Sequence, residues 1–234
     1  RVWGAFLVMG FLNNVIPFSL IAWGQLTIET GLASILNATT AIFGFLIAAV
    51  AFSDERLTAR RAIGISLGFA GVAMAIGFKS LLAFDPKSLA QLAVLGASLS
   101  YALASSWARQ MLSGIAPQVA AAGMLTGSSL IMIPLAWKVD GPLTLALQSD
   151  TVLAIAYFAI AATAIAYLLY YRILASAGAS NLMLTTLLIP PVAILLGTLF
   201  RAEALPAQAY AGFALLAFGM VVLDGRILKW GRRI

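Results

Sequence analysis

Long apolar runs, separated by short stretches that hold the charges, set the pattern of this chain. No Asp, Glu, Lys or Arg occurs from Val2 to Ile28, Thr30 to Ser53, Ala62 to Phe78, Ser88 to Ala108, Gln110 to Trp137, Thr151 to Tyr171, Ile173 to Phe200 or Ala204 to Leu223. A helix crosses the hydrocarbon core of a bilayer with about 20 apolar residues. The pattern therefore predicts eight transmembrane helices, named here the first to the eighth span. The third run is the shortest, and Arg60 and Arg61 can serve as its snorkelling ends. Spanning segments must satisfy their own backbone, as helices or as strands of a closed barrel. Barrel strands alternate polar and apolar residues, and these runs do not. The predicted fold class is an all-α polytopic membrane protein.

Composition agrees. Hydrophobic residues make up 62% of the 234 residues and charged residues 9%, against about 25% charged in soluble domains. The net charge of +6 does not point to nucleic acid, because the basic residues sit between the apolar runs. They report orientation instead. One side receives Arg1, Arg56, Arg60, Arg61, Arg109, Arg172, Arg226, Lys229, Arg232 and Arg233, ten in all; the other receives Lys79, Lys87, Lys138 and Arg201, four in all. The positive-inside rule puts the ten-residue side, with the C-terminus, in the cytoplasm. The expected location is the plasma (inner) membrane.

There is no Cys and no His. The eight carboxylates, Glu29, Asp54, Glu55, Asp85, Asp140, Asp150, Glu203 and Asp224, all lie at span ends or in loops. A catalytic nucleophile with its base, or a metal-ligand set, cannot be assembled at depth from such a chain. No enzyme activity, metal or cofactor is expected. Glu55 and Glu203 are expected to order their loops near a helix start, where a carboxylate favours the exposed N–H groups.

Sliding the sequence by 148 positions reveals a repeat. Phe52, Glu55, Leu57, Gly64, Leu67, Gly71 and Gly77 fall on Phe200, Glu203, Leu205, Gly212, Leu215, Gly219 and Gly225. Five predicted crossings separate the two Glu loops, so the halves are inverted in the membrane. Inverted repeats are a hallmark of secondary carriers. The second half, 88–225, holds five spans. The first, 1–78, holds three, and 79–87 links them. A complete duplication would have ten helices, with two more before Arg1. Residues 226–234 read as a basic cytoplasmic tail.

The stretch IPFSLIAWGQ leading into GLASILNATTAIFGFLIAAVAFSDERLT, and the stretch GASNLMLTTLLIPPVAILLGTLFRAEAL, resemble the two EamA-type repeats of the drug/metabolite transporter superfamily. The resemblance implies ten helices in two inverted five-helix repeats, cytoplasmic termini, and transport of a small molecule. Family members usually carry Pro in the helix before each Glu loop. Pro190 keeps it here, and Ile42 holds the matching place in the first half.

Candidate site residues follow from polar groups inside the spans. Asn13 and Asn14 sit in the middle of the first span, and Pro17 cannot donate to the carbonyl of Asn13, so the helix is expected to bend there. The repeat offset pairs Asn37 with Thr185. Thr186 follows, ahead of Pro190 and Pro191, so polar side chains recur at mirrored depths as two gates would. Ser34, Asn37, Ala41, Gly44 and Ala48 form a small-residue stripe that also suits close helix packing. Thr163, Tyr167 and Tyr170 share one face of the sixth span, and Ser98, Tyr101 and Ser105 one face of the fourth. Tyr170 and Tyr171, next to Arg172, read as interfacial belt residues. Gly64 and Gly68 read as a helix-packing motif.

The expected substrate-binding set is Asn13, Asn14, Asn37, Tyr101, Thr163, Tyr167, Thr185 and Thr186, with Pro17, Pro190 and Pro191 as helix breaks that permit gating. The expected function is secondary transport, as an exporter of small neutral or zwitterionic metabolites such as amino acids or drug-like compounds, by alternating access around a midplane cavity. The alternative is a non-transporting membrane scaffold. Expected partners are the substrate and the lipid bilayer, without nucleic acid; a homodimer is left open.

Overall fold

Every regular element is a helix in the computed structural model, which describes residues 2–56, 58–141, 148–201 and 207–224. Seven stretches are long and apolar enough to cross a membrane: Val2–Gly24, Thr30–Ala51, Ala59–Ile76, Leu89–Met111, Pro117–Val139, Ser149–Ala177 and Ala179–Leu196. The shorter apolar helix Ala207–Leu223 supplies the eighth span. Local chemistry sets several ends. Thr58 caps the third span by accepting from the Arg61 amide, and Ser88 caps the fourth by accepting from Gln91. Gly77 and Gly141, with φ of 116° and 85°, follow the third and fifth spans in conformations that Cβ-bearing residues avoid.

One boundary differs from the sequence reading. The sixth span does not stop at Tyr171; it continues past Arg172 to Ala177, and the seventh begins at Ala179. Arg172 is exposed, so its charge reaches out while the helix runs on. Gly178, at φ 84°, makes the break. The belt reading of Tyr170 and Tyr171 is also corrected. Tyr171 is buried in the core with Met124, Leu174 and Leu182, and the Tyr170 hydroxyl is buried without a hydrogen-bond partner among the described residues. Both rings turn inward and stack edge to face, 5.2 Å apart.

The third and eighth spans cross through glycines. A Cβ on Gly64 would lie 2.9 Å from the Gly219 carbonyl oxygen, and one on Gly71 would lie 2.7 Å from that of Gly212. Gly64 and Gly212 are repeat equivalents, as are Gly71 and Gly219. Each glycine thus meets the equivalent of the other, in antiparallel helices. That reciprocity is the signature of a two-fold axis. Here the axis lies across the helices, hence in the membrane plane, as inverted halves require.

Two spans are interrupted at turns. The second breaks at Thr39 and the seventh at Leu184. Thr39, Thr40, Thr185 and Thr186 each donate to a carbonyl three residues back, at 2.5, 2.6, 2.7 and 2.7 Å. Pro190 and Pro191 lie inside the helix Thr185–Arg201 without ending it. The outer half of the sixth span, Ser149–Ala159, contributes no buried residue.

Candidate functional site

The first span widens into a π-helical turn at Phe11–Val15, directly before Pro17. The Ile16 amide bonds the Phe11 carbonyl five residues back. Proline removes one donor from the ladder, and the extra residue in the turn re-aims the side chains around it. Asn13 and Asn14 are carried inward by this turn, at 2% and 4% exposure.

They join a polar network at mid-membrane depth. Asn13 Nδ2 donates to Asn14 Oδ1 at 3.3 Å, to Tyr167 Oη at 3.1 Å and towards Met124 Sδ at 3.6 Å. Asn14 Nδ2 donates to Ser128 Oγ at 3.0 Å, and Tyr167 Oη donates to Asn14 Oδ1 at 2.5 Å. The first, fifth and sixth spans thus meet through side chains. Among the described residues Asn13 Oδ1 receives no hydrogen bond. Buried amides in apolar surroundings are held only when paired, because an unpaired one costs about 1–3 kcal/mol.

A second π-helical turn occupies Ile160–Ile165 of the sixth span and contains Thr163. The repeat offset carries the first turn onto 159–163, so the two occupy matching places in the two halves. The sequence IAATAI has no proline and no amide to announce it. Only the repeat register could have pointed there. Such turns recur at functional sites.

The remaining expected residues do not all converge. Thr185 and Thr186 spend their hydroxyls on their own helix. The side-chain carbonyl oxygen of Asn37 is buried and has no hydrogen-bond partner among the described residues. Tyr101 is half-buried on the fourth span, and neither its hydroxyl nor that of Thr163 hydrogen-bonds among the described residues. The stripe of small residues on the second span packs closely: Ala41 and Ala48 are fully buried, and a Cβ on Gly44 would overlap Met183 at 2.4 Å. Ser98 bridges the fourth span to the Leu36 carbonyl at 3.0 Å. Ser100 and Trp107 tie it to the first span, through the Leu12 and Ala5 carbonyls.

A second polar cluster was only half foreseen. Glu55 lies in a loop, yet it is 5% exposed. Its carboxylate accepts the backbone N–H of Ala179 at 3.0 Å and of Ser180 at 2.9 Å, together with the Ser180 hydroxyl and Arg109 Nη1. It does cap a helix start, but that of the seventh span, 124 residues away, rather than its own neighbour. Gly178 leaves room for this: a Cβ there would lie 2.8 Å from Glu55 Oε1. Arg109, at the end of the fourth span, also pairs with the exposed Asp54 at 2.5 Å and lies 4.2 Å above the Phe52 ring. Glu203, the repeat equivalent, lies outside the described residues.

Clefts flank this face. One of about 390 Å³ is lined by Phe45, Arg60, Arg61, Thr185 and Met220, among others, and one of about 430 Å³ by Phe52, Arg109, Ile115 and Tyr171 among others. Among the described residues no group of His, Cys, Asp or Glu could hold a metal ion.

Known proteins share both sequence and fold. The profile of the EamA-like transporter family matches residues 1–77 and 88–223. An uncharacterized transporter of Archaeoglobus fulgidus is 26% identical over 200 residues, covering 86% of this chain and 70% of the relative. A "Probable terminal-alkyne amino-acid exporter" of Streptantibioticus cattleyicolor is 26% identical over 216 residues, covering 92% and 70%. The transporter YvbV of Bacillus subtilis is 23% identical over 230 residues, covering 96% and 72%. One protein crystal structure superposes with a TM-score of 0.79 at 18% identity, over 95% of this chain and 76% of its own. That last likeness is one of fold.

Proposed function

The chain belongs to the EamA-like transporter family, and on that premise we propose that it is a secondary carrier exporting small neutral or zwitterionic metabolites, such as amino acids or drug-like compounds, by alternating access. The observation that carries this reading is the network of Asn13, Asn14, Ser128 and Tyr167 at mid-membrane depth, set between π-helical turns in both halves.

Its chemistry suits such a substrate. The groups are amides and hydroxyls, able to donate and to accept. No acid or base stands among them, so a multiply charged guest would have no counter-ion in a region where charge is costly. A neutral or zwitterionic guest can exchange its polar atoms for the internal bonds of the network. Asn13 Oδ1 offers an acceptor, and the Asn14–Tyr167 bond a pair that opens without leaving either partner unpaired. Repeat symmetry sets the first span against the sixth and the second against the seventh, so these four surround the axis, where inverted-repeat carriers hold substrate. The exporter among the relatives supports the direction. The excess of Lys and Arg supports a cytoplasmic C-terminus.

The test is a metabolite export profile of cells with and without the protein. Neutral or zwitterionic compounds should leave the expressing cells faster. Unchanged efflux of these, or efflux of polyanions alone, sinks the assignment.

A further inference from the structure

We infer that Glu55 and Arg109 form the latch that closes one face of the carrier, and that this latch must open in each transport cycle. The inference rests on the carrier reading for its role in transport, but the latch is testable without transport.

Glu55 is built as a junction. Four groups, one from the end of the fourth span and three from the start of the seventh, converge on one buried carboxylate in the loop after the second span. A carboxylate at a helix start interacts with N–H groups that have no partner within the helix. The guanidinium supplies the countercharge, and charge-assisted bonds are the strong ones. Arg109 is in turn held by Asp54 and by the Phe52 ring.

Beneath the latch, Ala48 of the second span, Ala104 and Ala108 of the fourth, and Ala179 and Leu182 of the seventh are buried in one cluster with Leu112, Met124, Tyr171 and Met183. The alanines let the three spans approach closely while each buries little area, and the polar junction above adds a charged tie between the same spans. The seventh span is moreover interrupted at Leu184, which sets its first turns, Ala179–Met183, apart from the helix Thr185–Arg201. In this structure the Glu55 junction ties the loop after the second span to the fourth and seventh spans. A carrier that alternates opens each face in turn, so opening this one requires the seventh span to leave Glu55.

The chain has no Cys, so reporters are simple to place. Ala104→Cys puts a thiol under the latch, where it is shielded. In inside-out and right-side-out vesicles, a membrane-impermeant maleimide should label it slowly from either side. Adding Glu55→Gln, which keeps the shape and an acceptor for one of the Ala179 and Ser180 amides but removes the charge facing Arg109, should speed labelling from the Glu55 face on the order of tenfold, the effect of losing a charge-assisted bond. Arg109→Gln should do the same. Labelling that stays unchanged in both variants overturns the latch. Amounts and thermal unfolding of the purified variants distinguish opening from unfolding, because an unfolded protein labels equally from both sides.

The converse manipulation keeps the latch shut in an otherwise folded protein. Asp54 and Ser176 line one small cleft beside Glu55. Bridging Asp54→Cys to Ser176→Cys with a short bis-methanethiosulfonate reagent should stop transport, and reduction should restore it. Undiminished transport by fully bridged protein overturns the requirement for opening. If the wild-type protein moves no substrate, the carrier reading fails, while the labelling result still decides the latch.

Discussion

Tyr167 Oη donates a 2.5 Å hydrogen bond to Asn14 Oδ1, joining residues 153 positions apart at the middle of the membrane. The bond ties the widened turn of the first span to the sixth. Tyr167→Phe removes the donor and leaves Asn14 Oδ1 with the 3.3 Å bond from Asn13. Transport should fall about tenfold, as for loss of one buried hydrogen bond of 1–3 kcal/mol, while protein remains in the membrane. Initial export rates normalised to protein amount check this. Normal rates would argue that the network is scaffold.

Asn13→Leu and Asn14→Leu test the same site more severely. Asn14→Leu leaves the Tyr167 hydroxyl proton without its acceptor, although that oxygen still accepts from Asn13, and Ser128 keeps only its bond to the Leu125 carbonyl. Each variant should transport at least about tenfold more slowly than wild type, again the scale of a stranded buried polar group. Immunoblots of membranes are the control. Absence of both variants from the membrane would show that the amides are structural.

The glycine crossing predicts an effect on folding rather than transport. A Cβ at Gly71 would lie 2.5 Å from the Leu216 amide nitrogen and 2.7 Å from the Gly212 carbonyl. Backbone cannot yield as a side-chain tip can, so Gly71→Ala should cost about 1–3 kcal/mol, the usual range for overpacking. Gly64→Leu should be worse and leave little folded protein. Gly4, whose Cβ would meet nothing within 4 Å, is the control. Gly4→Ala should unfold at the wild-type temperature or slightly above it, as helix propensity favours Ala. Thermal unfolding in detergent compares the three.

Topology predicts opposite reactivity for the two Glu loops. Single thiols at Asp54→Cys and Ala202→Cys should differ in intact cells: an impermeant reagent should label the second and spare the first. Position 202 lies outside the described residues, so the expectation rests on crossing number and charge. Equal labelling would refute the inverted arrangement.

Asp54 gives a pH dependence with a definite sign. Its hydrogen bond from Arg109 holds the carboxyl below its usual value of 3.8. A carboxylate with a depressed folded-state pKa stabilises the fold above the unfolded value, and that contribution disappears as pH falls through the folded value. Unfolding temperature should therefore drop below about pH 4 more steeply in wild type than in Asp54→Asn. Asp54 is exposed, so the difference should be small. Identical profiles would mean that the pair contributes nothing.

The spans were legible because transfer free energy is local and additive. A run of 20 apolar residues declares a helix whatever surrounds it. Where the sequence reading erred, at Tyr171, it took a charge for an end. Arg172 can snorkel, whereas Gly178 cannot continue a helix at φ 84°. Tyr170 and Tyr171 misled for the same reason: a tyrosine beside an arginine suits an interface, and only the rotation of the sixth span against the fourth and fifth turned both rings inward.

By itself the sequence determined the class, the spans and the inverted halves, since length, hydropathy and a 148-residue offset need no knowledge of contacts. It also marked Asn13, Asn14 and Tyr167 as polar groups that must find partners in an apolar medium. It did not determine which partners. Ser128, Met124 and Tyr167 come to the Asn pair from helices more than 100 residues away, and Ala179 and Ser180 come to Glu55 across a similar distance. Those meetings depend on how each helix is rotated about its axis and where it pivots. The second π-helical turn, at Ile160–Ile165, rotates the sixth span with no local signal at all. Helix rotation is fixed by the summed packing of neighbouring surfaces, such as the glycine crossing of the third and eighth spans. No single stretch of sequence contains that sum, so the tertiary structure alone decided which polar groups meet.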